Sequence, residues 1–223
     1  MEARTASKQS AAPKRLPPAE RREQLIDAAL SIAAREGYEN LAFEKVANRA
    51  GVTRNLVYHY FPGGRQELLE AAAHRAGEQL TSQLVTDPAV PLPERLATNL
   101  SQMMDHAEEP TEAWLLYRQG RGSVDRKLLG IMAVYREKII ATISLNQLGT
   151  TTPPPVVRIA LDGFIAYVET VLEAAFVEGL PRELVIELVG GTLAATIEGA
   201  VNADVRSATS AGAGATEQGK KYG

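Results

Sequence analysis

The segment at residues 43–61, FEKVANRAGVTRNLVYHYF, constrains the fold most because it predicts two short helices joined by a tight turn. Four apolar residues recur at helical spacing before the turn: Phe43, Val46, Ala47 and Ala50. Gly51 then supplies the left-handed conformation that residues with side chains resist. Thr53 can accept backbone N–H bonds as the N-cap of the next helix. The segment therefore predicts a helix-turn-helix.

The second helix of this pair has two different faces. Val57 and Phe61, four residues apart, are expected to point inward. The opposite face carries four polar side chains at i, i+4 spacing: Arg54, Asn55, Tyr58 and His59. Arginine can donate two hydrogen bonds to guanine and asparagine can pair with adenine in the major groove, while tyrosine and histidine suit phosphate or base-edge contacts. This face favours duplex DNA, and the alternative is a solvated helix face without a partner.

Residues from about 21 to 69 resemble the DNA-binding domain of the TetR family of bacterial one-component repressors. The resemblance rests on a long first helix, the Gly-Tyr pair after it, the VAxxAGVT turn, the VYHYF helix and a following ELL. It implies an all-α protein in which a three-helix, helix-turn-helix DNA-binding domain precedes a helical ligand-binding and dimerisation domain. It also implies that a fourth helix connects the two.

Two positions depart from the family pattern. Ala42 stands where family members usually carry a capping Thr or Ser, and Asn40 is a possible substitute cap. Gly64 stands near the position of a phosphate-binding Lys, so we expect Arg65 to replace that cation, aided by backbone N–H groups at the start of the fourth helix. The expected DNA contacts are then Thr53, Arg54, Asn55, Tyr58, His59, Arg65 and Glu44.

Composition and charge narrow the class of protein. The chain has 223 residues and no cysteine, which excludes disulfides and thiolate metal sites and suits a reducing cytoplasm. Its hydrophobic runs look too short or too interrupted to span a bilayer. Residues 1–65 hold 11 Lys and Arg against 7 Asp and Glu, whereas residues 66–223 hold 13 against 20. Only the N-terminal part suits a polyanion such as DNA.

The chain divides into four parts by composition. Residues 1–17 predict a disordered basic arm, which either contacts the minor groove or phosphates or is a solvated tail. Residues 18–65 predict the DNA-binding domain, residues 66–206 the helical ligand-binding and dimerisation domain, and residues 207–223 a disordered tail. Proline-rich breaks at 87–93 and 150–155 separate the later helices, and the last of these is expected to end near Arg206.

A regulatory domain of this kind needs a cavity, and large adaptable side chains in its middle helices are the candidate lining. The expected ligand-binding residues are Met103, His106, Trp114, Tyr117, Tyr135, Phe164 and Tyr167. The alternative is that each of them belongs to an ordinary hydrophobic core.

The last two predicted helices, joined at Gly179 and Leu180, are apolar on more than one side, and such helices need more than one partner. The resemblance implies that they form a four-helix bundle with a second copy of the chain. The expected dimer-interface residues are Val168, Leu172, Ala175, Val185, Leu188, Val189, Leu193 and Ile197. Burial within a single chain is the alternative.

No catalytic or metal-binding pattern accompanies these features. The three histidines, at 59, 74 and 106, have no triad or metal-ligand spacing around them, and no phosphate-binding loop is present. We therefore expect no enzyme activity, metal or cofactor. The favoured function is a dimeric transcriptional repressor released from a palindromic operator by an unidentified small molecule. The alternatives are a DNA-binding regulator without an effector, or a ligand-sequestering protein with a degenerate helix-turn-helix.

Overall fold

The computed structural model describes residues 16–121 and 123–219, with side chains described up to residue 207 and at Thr209. This part of the chain is helical, with no strand, and so confirms the predicted all-α class. Its helices are α1 Pro18–Glu36, α2 Phe43–Ala50, α3 Arg54–Tyr60, α4 Gly64–Thr81, α5 Leu92–Glu108, α6 Glu112–Arg121, α7 Arg126–Leu148, α8 Pro155–Glu178 and α9 Arg182–Gly219, with a short 3-10 helix at Tyr38–Asn40. Most of the predicted N-terminal arm lies outside the described residues.

Helices α1 to α3 pack into a small N-terminal head around an apolar core. Leu25 of α1, Val46 of α2 and Val57 of α3 are fully buried there, together with Phe61 at the end of α3. Gly51 ends α2 in the left-handed conformation, at φ 65° and ψ 36°, as the sequence predicts. The head is thus a rigid frame on which the outer face of α3 is displayed.

Helix α4 belongs to the head and to the rest of the protein at once. Ala72, Ala73 and Ala76 are fully buried, and their small side chains let α4 pack closely against its neighbours. The same hydrophobic core runs from the head through α4 into α6 and α7. Helix α4 therefore connects the head to α6 and α7 through packed side chains.

Helices α8 and α9 form the predicted hairpin, which turns at Gly179 in the left-handed conformation. Six of the expected dimer-interface residues are buried inside this one chain: Val168, Leu172, Ala175, Val185, Val189 and Leu193. These six residues belong to the core of the single chain, so their assignment to a dimer interface is wrong. Only Leu188, which is exposed, and Ile197, which is partly buried, remain available to another chain. The error arose because both faces of each helix are apolar, and periodicity alone does not say which one faces inward.

Helix α9 is longer than expected. Its backbone continues to Gly219, so the predicted disordered tail from residue 207 is wrong as far as the described residues reach. Residues 207–219 contain four alanines, which favour helix, but also three glycines, which disfavour it, so local propensity alone does not explain this extension. Within α9, the stretch Arg182–Ser207 is long and apolar enough to cross a membrane by length and composition, contrary to expectation. This is weak evidence, because the packed helix of a protein in water can meet the same criteria.

Candidate DNA-contacting face and effector cavity

The four polar side chains predicted to read DNA lie together on the outside of α3. Arg54, Asn55, Tyr58 and His59 are all exposed. The Arg54 guanidinium donates a hydrogen bond to the Tyr58 hydroxyl over 3.1 Å and lies 5.4 Å from the centre of its ring. At the start of the helix, the Thr53 hydroxyl accepts the Leu56 N–H over 3.3 Å, as an N-cap does.

Residues behind this face hold it in place. The ring of Tyr58 packs edge-on against Phe43 of α2, with their centres 4.5 Å apart. The Gln24 side-chain amide of α1 donates to the carbonyl of Ala50 over 3.3 Å, which ties the first helix to the turn. The sequence did not predict either contact, although an aromatic residue at position 43 is a signal that could have indicated the first. Glu44, the last predicted DNA contact, is exposed on α2 next to Phe43.

Arg65 and Asn40, which were expected to replace the family lysine and the cap of α2, bind other groups in the structure. Arg65 donates to the Leu41 carbonyl over 2.8 Å and to the Tyr38 carbonyl over 2.5 Å, so its guanidinium braces the head instead of standing free for phosphate. The Glu67 carboxylate accepts the Gly63 N–H over 2.8 Å at the start of α4, where a phosphate was expected. Asn40 donates to the Glu36 carbonyl at the end of α1, and Ala42 at the N-cap of α2 provides no side-chain cap.

A cavity of about 120 Å³ lies among α4 to α9. Six of the seven predicted ligand-binding residues line it: Met103, His106, Trp114, Tyr117, Tyr135 and Phe164. Tyr167 does not, because its hydroxyl accepts a hydrogen bond from Thr192 on α9 over 3.1 Å and its ring lies beside Phe164. The sequence missed the apolar lining from α4, α5 and the segment between them, including Leu80, Leu84 and Leu96, because leucines at such spacing look like any helix core.

Three aromatic rings form one wall of this cavity. Trp114 stacks on His106 at 6.2 Å and on Tyr117 at 5.9 Å between ring centres. Burial lowers the pKa of His106, and nearby Asp105 offsets part of that effect. The imidazole is therefore mostly uncharged at neutral pH, which suits an apolar wall.

A buried carboxylate lies beyond this wall. Glu169 is only 5% exposed, and Tyr117 donates to it over 2.5 Å. Its other oxygen lies 3.1 Å from the Arg121 guanidinium and 3.5 Å from that of Arg136. Burial and the charge of Glu169 raise the pKa of Tyr117. The carboxylate is thus fully paired, as a buried charge must be.

Tyr135 joins the cavity to α4. It lines the cavity, and its hydroxyl donates to the His74 carbonyl over 2.5 Å and lies 3.1 Å from Nδ1 of the same residue. Burial raises the pKa of Tyr135 to about 12. Gly77 of α4 leaves room for the ring, since a Cβ there would lie 2.1 Å from it. The Tyr135 side chain therefore contacts α4 directly at His74 and Gly77.

Helix α6 makes a second connection, from the cavity to α1. It carries Trp114 and Tyr117 on the cavity side and Glu112 on the side that faces the head. Ser31 donates to the Glu112 carboxylate over 2.5 Å, and Arg35 donates to the same oxygen over 2.8 Å. Burial alone would raise the pKa of Glu112, but these two hydrogen bonds and the charge of Arg35 lower it below its ordinary value.

Comparison with known proteins agrees with this architecture. Residues 25–72 match the family model described as bacterial regulatory proteins, tetR family. The chain is 37% identical over 84 residues to the HTH-type transcriptional repressor KstR of Rhodococcus jostii, which covers 38% of this chain and 39% of that protein. It is 32% identical over 120 residues to the regulator BetI of Brucella anthropi, covering 51% and 61% of the two chains. These matches span 39% of KstR and 61% of BetI, in each case less than two thirds of the relative.

The likeness extends further in three dimensions. A tetR-family transcriptional regulator from Streptomyces coelicolor superposes with a TM-score of 0.65 at 25% identity, covering 84% of this chain and 90% of that one. The multidrug binding protein EbrR, solved in complex with imidazole, has the same fold at a TM-score of 0.57 and 20% identity.

The fold and the outward face of α3 define a helix-turn-helix regulator. Residues 25–72 belong to the TetR family of bacterial regulatory proteins, and the described chain has the fold of tetR-family regulators. Its relatives are named as regulators and repressors, which supports the prediction that it is not an enzyme.

Proposed function

We propose that this protein is a homodimeric, cytoplasmic transcriptional repressor that binds a palindromic operator and leaves it when a small molecule occupies the cavity. The observation that carries the proposal is the joint exposure of Arg54, Asn55, Tyr58 and His59 on a helix whose other face is buried. A rigid helix with such a face fits the major groove of DNA.

The proposed roles follow from side-chain chemistry. Arg54 and Asn55 read base edges, and Tyr58 and His59 contact phosphates or sugars, with Thr53 and Glu44 at the border of the surface. The hydrogen bond from Arg54 to Tyr58 holds the guanidinium along the helix axis before DNA arrives. Less rotamer freedom is then lost on binding, which favours affinity. Residues 18–65 are the proposed DNA-binding domain, and Arg65 has a bracing role within it.

The proposed dimer interface is the face of the α8–α9 hairpin that remains uncovered. On α9 the uncovered positions recur with the three- and four-residue spacing of a helix-packing seam: Leu184, Leu188, Gly191, Ala195, Glu198, Asn202 and Val205. Val156, Ile159, Gly163, Thr170 and Val177 form a similar row on α8. Small residues within both rows allow close helix approach, and an apolar face of this length is typical of a subunit interface.

The proposed effector site is the cavity, and residues 66–206 are the domain that contains it. An effector that displaces Tyr135 acts on α4 through the His74 carbonyl, and one that displaces Trp114 acts on α1 through α6. In a dimer, either movement changes the separation of the two recognition helices, which must be about 34 Å for adjacent major grooves. A preference of ~2–3 kcal/mol for the non-binding arrangement would weaken operator binding about 30- to 150-fold.

Selection of bound fragments from random duplex DNA tests the proposal. We expect the recovered sequences to share a palindrome, and a gel shift on that palindrome to show tighter binding than on a scrambled duplex across a range of salt concentrations. Equal affinity for the two duplexes would contradict sequence-specific regulation.

One observation favours a second candidate, a ligand-sequestering protein. The cation expected to replace the family lysine is tied to backbone carbonyls, and α2 has no side-chain cap. Absence of binding to any duplex, combined with ligand binding in the cavity, would favour this candidate over the repressor.

A further inference from the structure

The lining of the effector cavity carries little formal charge. Neither lysine nor arginine is among its described residues, and Glu169 is the one carboxylate of that lining. His106 also lines the cavity, and burial lowers the pKa of its imidazole, so this ring is mostly uncharged at neutral pH. A charged molecule inside the cavity therefore has no counter-charge in the described lining unless Glu169 supplies one.

Glu169 does not supply one, because its charge is already balanced. One carboxylate oxygen accepts from the Tyr117 hydroxyl over 2.5 Å, and the other lies 3.1 Å from Arg121 and 3.5 Å from Arg136. Arg136 is paired in turn with Asp162 of α8. Two carboxylates and two guanidiniums thus form a network without net charge, which leaves neither sign of charge for an occupant.

The asparagine amides of the lining are also engaged by the protein. Asn99 of α5 accepts from the Val85 N–H over 2.7 Å and donates to the Val85 carbonyl over 3.3 Å. Asn146 of α7 donates to the same carbonyl over 3.4 Å and accepts over 2.6 Å from Arg95, which lies outside the lining. A strongly polar occupant would have to break these bonds, which hold the connection between α4 and α5.

The remaining lining is mostly apolar and sets the size of the occupant. Leu80 of α4, Leu96 of α5, Ile139 and Ile143 of α7 and Phe164 of α8 are examples. The cavity volume is about 120 Å³, and an engineered apolar cavity of roughly 150 Å³ in another protein holds one benzene molecule. The occupant that fits therefore has roughly six to nine non-hydrogen atoms.

We propose that the effector is an uncharged, mostly apolar molecule of the size of one substituted benzene ring, and that the balanced network around Glu169 excludes charged molecules of the same shape. This inference rests on the proposed effector function and names its ligand class. A buried ion keeps its cost of desolvation unless a counter-charge or a full set of hydrogen bonds replaces water. A neutral ring gives up little hydration and gains dispersion contacts with the wall.

Fluorescence of the chain's single tryptophan, Trp114, tests the proposal directly, because this residue lines the cavity. The probes are benzyl alcohol, benzoate and benzylamine, which share a phenyl ring with one attached carbon and differ in charge at neutral pH. In the wild-type protein we expect benzyl alcohol to bind about a hundredfold more tightly than either ion.

Two variants of α8 isolate the role of the network. Glu169→Gln removes one carboxylate and leaves the network with a net positive charge, so the affinity for benzoate relative to benzyl alcohol should rise about tenfold. Glu173→Gln is the matched control, at an exposed glutamate one turn further along α8 that is paired with Arg118. Its ratio of the two affinities should equal that of the wild type.

Two further variants locate the bound probe. Val168 is buried and lines the cavity, so Val168→Phe should fill the space and weaken benzyl alcohol binding at least tenfold. Val134→Phe, at a half-exposed valine of α7 outside the lining, is the matched control and should bind like wild type. Circular dichroism checks that each variant is folded, and the benzyl alcohol-to-benzoate ratio is compared within each protein, so a general loss of stability does not imitate the effect of Glu169→Gln.

Wild-type protein that binds benzoate or benzylamine as tightly as benzyl alcohol would overturn the proposal, as would an unchanged ratio in Glu169→Gln or the absence of any Trp114 response. Undiminished benzyl alcohol binding by folded Val168→Phe would also overturn it. No DNA enters this experiment, so its outcome is separate from that of the operator selection. A protein that selects a palindrome but does not prefer the neutral probe would retain the proposed repressor function and lose this ligand class.

Discussion

The N-terminal head, formed by α1 to α3, and the body, formed by α5 to α9, differ in where their polar side chains lie. In the head, Arg54, Asn55 and Tyr58 stand in solvent on a filled core. In the body, Glu169 and Tyr117 are buried around a core that is left partly empty. A surface that must meet a large, uniform polyanion is best held rigid and outside, whereas a site for a small molecule must exclude water and keep space.

The same contrast explains how far the family resemblance reaches. The head repeats a sequence pattern because its helices must meet the fixed spacing of DNA, and the family model covers residues 25–72. Over most of the chain, the fold of the structural relatives is kept at only 20–25% sequence identity. Different cavities can be built on one helical frame, since the frame needs only apolar residues at the right spacing.

We expect the largest effect at the proposed dimer interface, which holds the two DNA-binding heads together. Leu188 is 47% exposed on α9, and Leu188→Glu places a charge in the seam between subunits. We expect a monomer in light scattering and a loss of operator affinity of about a thousandfold, because the two heads no longer bind as one unit. Leu129→Glu is the control, at a leucine that is 39% exposed on α7. An unchanged dimer in Leu188→Glu would place the interface elsewhere.

Within the head, base reading should be separable from phosphate binding. Arg54→Ala is expected to reduce discrimination at one base position of the operator by ~1–3 kcal/mol. Tyr58→Phe should weaken binding to all sequences by a similar factor, since a phosphate contact carries no sequence information. Titration of both variants against the selected operator and single-base variants of it measures the difference. Equal losses of Arg54→Ala on operator and random DNA would show that Arg54 contacts only the backbone.

The structural features predicted correctly from the sequence are those that local rules determine, and the features missed are those that tertiary packing determines. The cap at Thr53, the turn at Gly51 and the outward face of α3 follow from spacing and side-chain chemistry, and the structure has them. The partners of Arg65 did not follow, because the carbonyls that it binds are brought together only by the fold of the head.

Tertiary packing also limited what the sequence could predict about the body. Six aromatic, histidine and methionine positions were correctly placed around one cavity because such residues gather where a core is irregular. Which side of α8 and α9 faces inward was not predictable, since both sides are apolar and no local rule separates a monomer core from a subunit interface.

The close approach of Gly77 in α4 to Tyr135, which lines the cavity, can be tested by replacing each of two glycines with alanine. Gly77→Ala places a methyl group 2.1 Å from the Tyr135 ring, so the ring or α4 must shift. We expect the free energy of unfolding to fall by about 1–3 kcal/mol. Gly130→Ala, in α7 with open space around the new methyl group, should instead raise it by about 0.5–1 kcal/mol through helix propensity. Urea denaturation measures both, and an equal rise in the two variants would contradict the close approach.

The smallest effect concerns the hydrogen bonds that dock α6 on the head. The pKa of Glu112 is lowered by Ser31 and Arg35, so the ionised form stabilises the folded state at pH values above the ordinary 4.5, and this contribution is lost as the pH falls through the lowered value. Glu112→Gln should therefore cost about 0.5–1 kcal/mol at neutral pH, a modest amount because Arg35 is solvent-exposed. The difference from wild type should shrink below about pH 4.5. Glu109→Gln, at an exposed glutamate just after α5, is the control and should change little at any pH. Thermal unfolding from pH 3 to 8 measures this dependence, and a Glu112→Gln difference that grows on acidification would contradict the docking role.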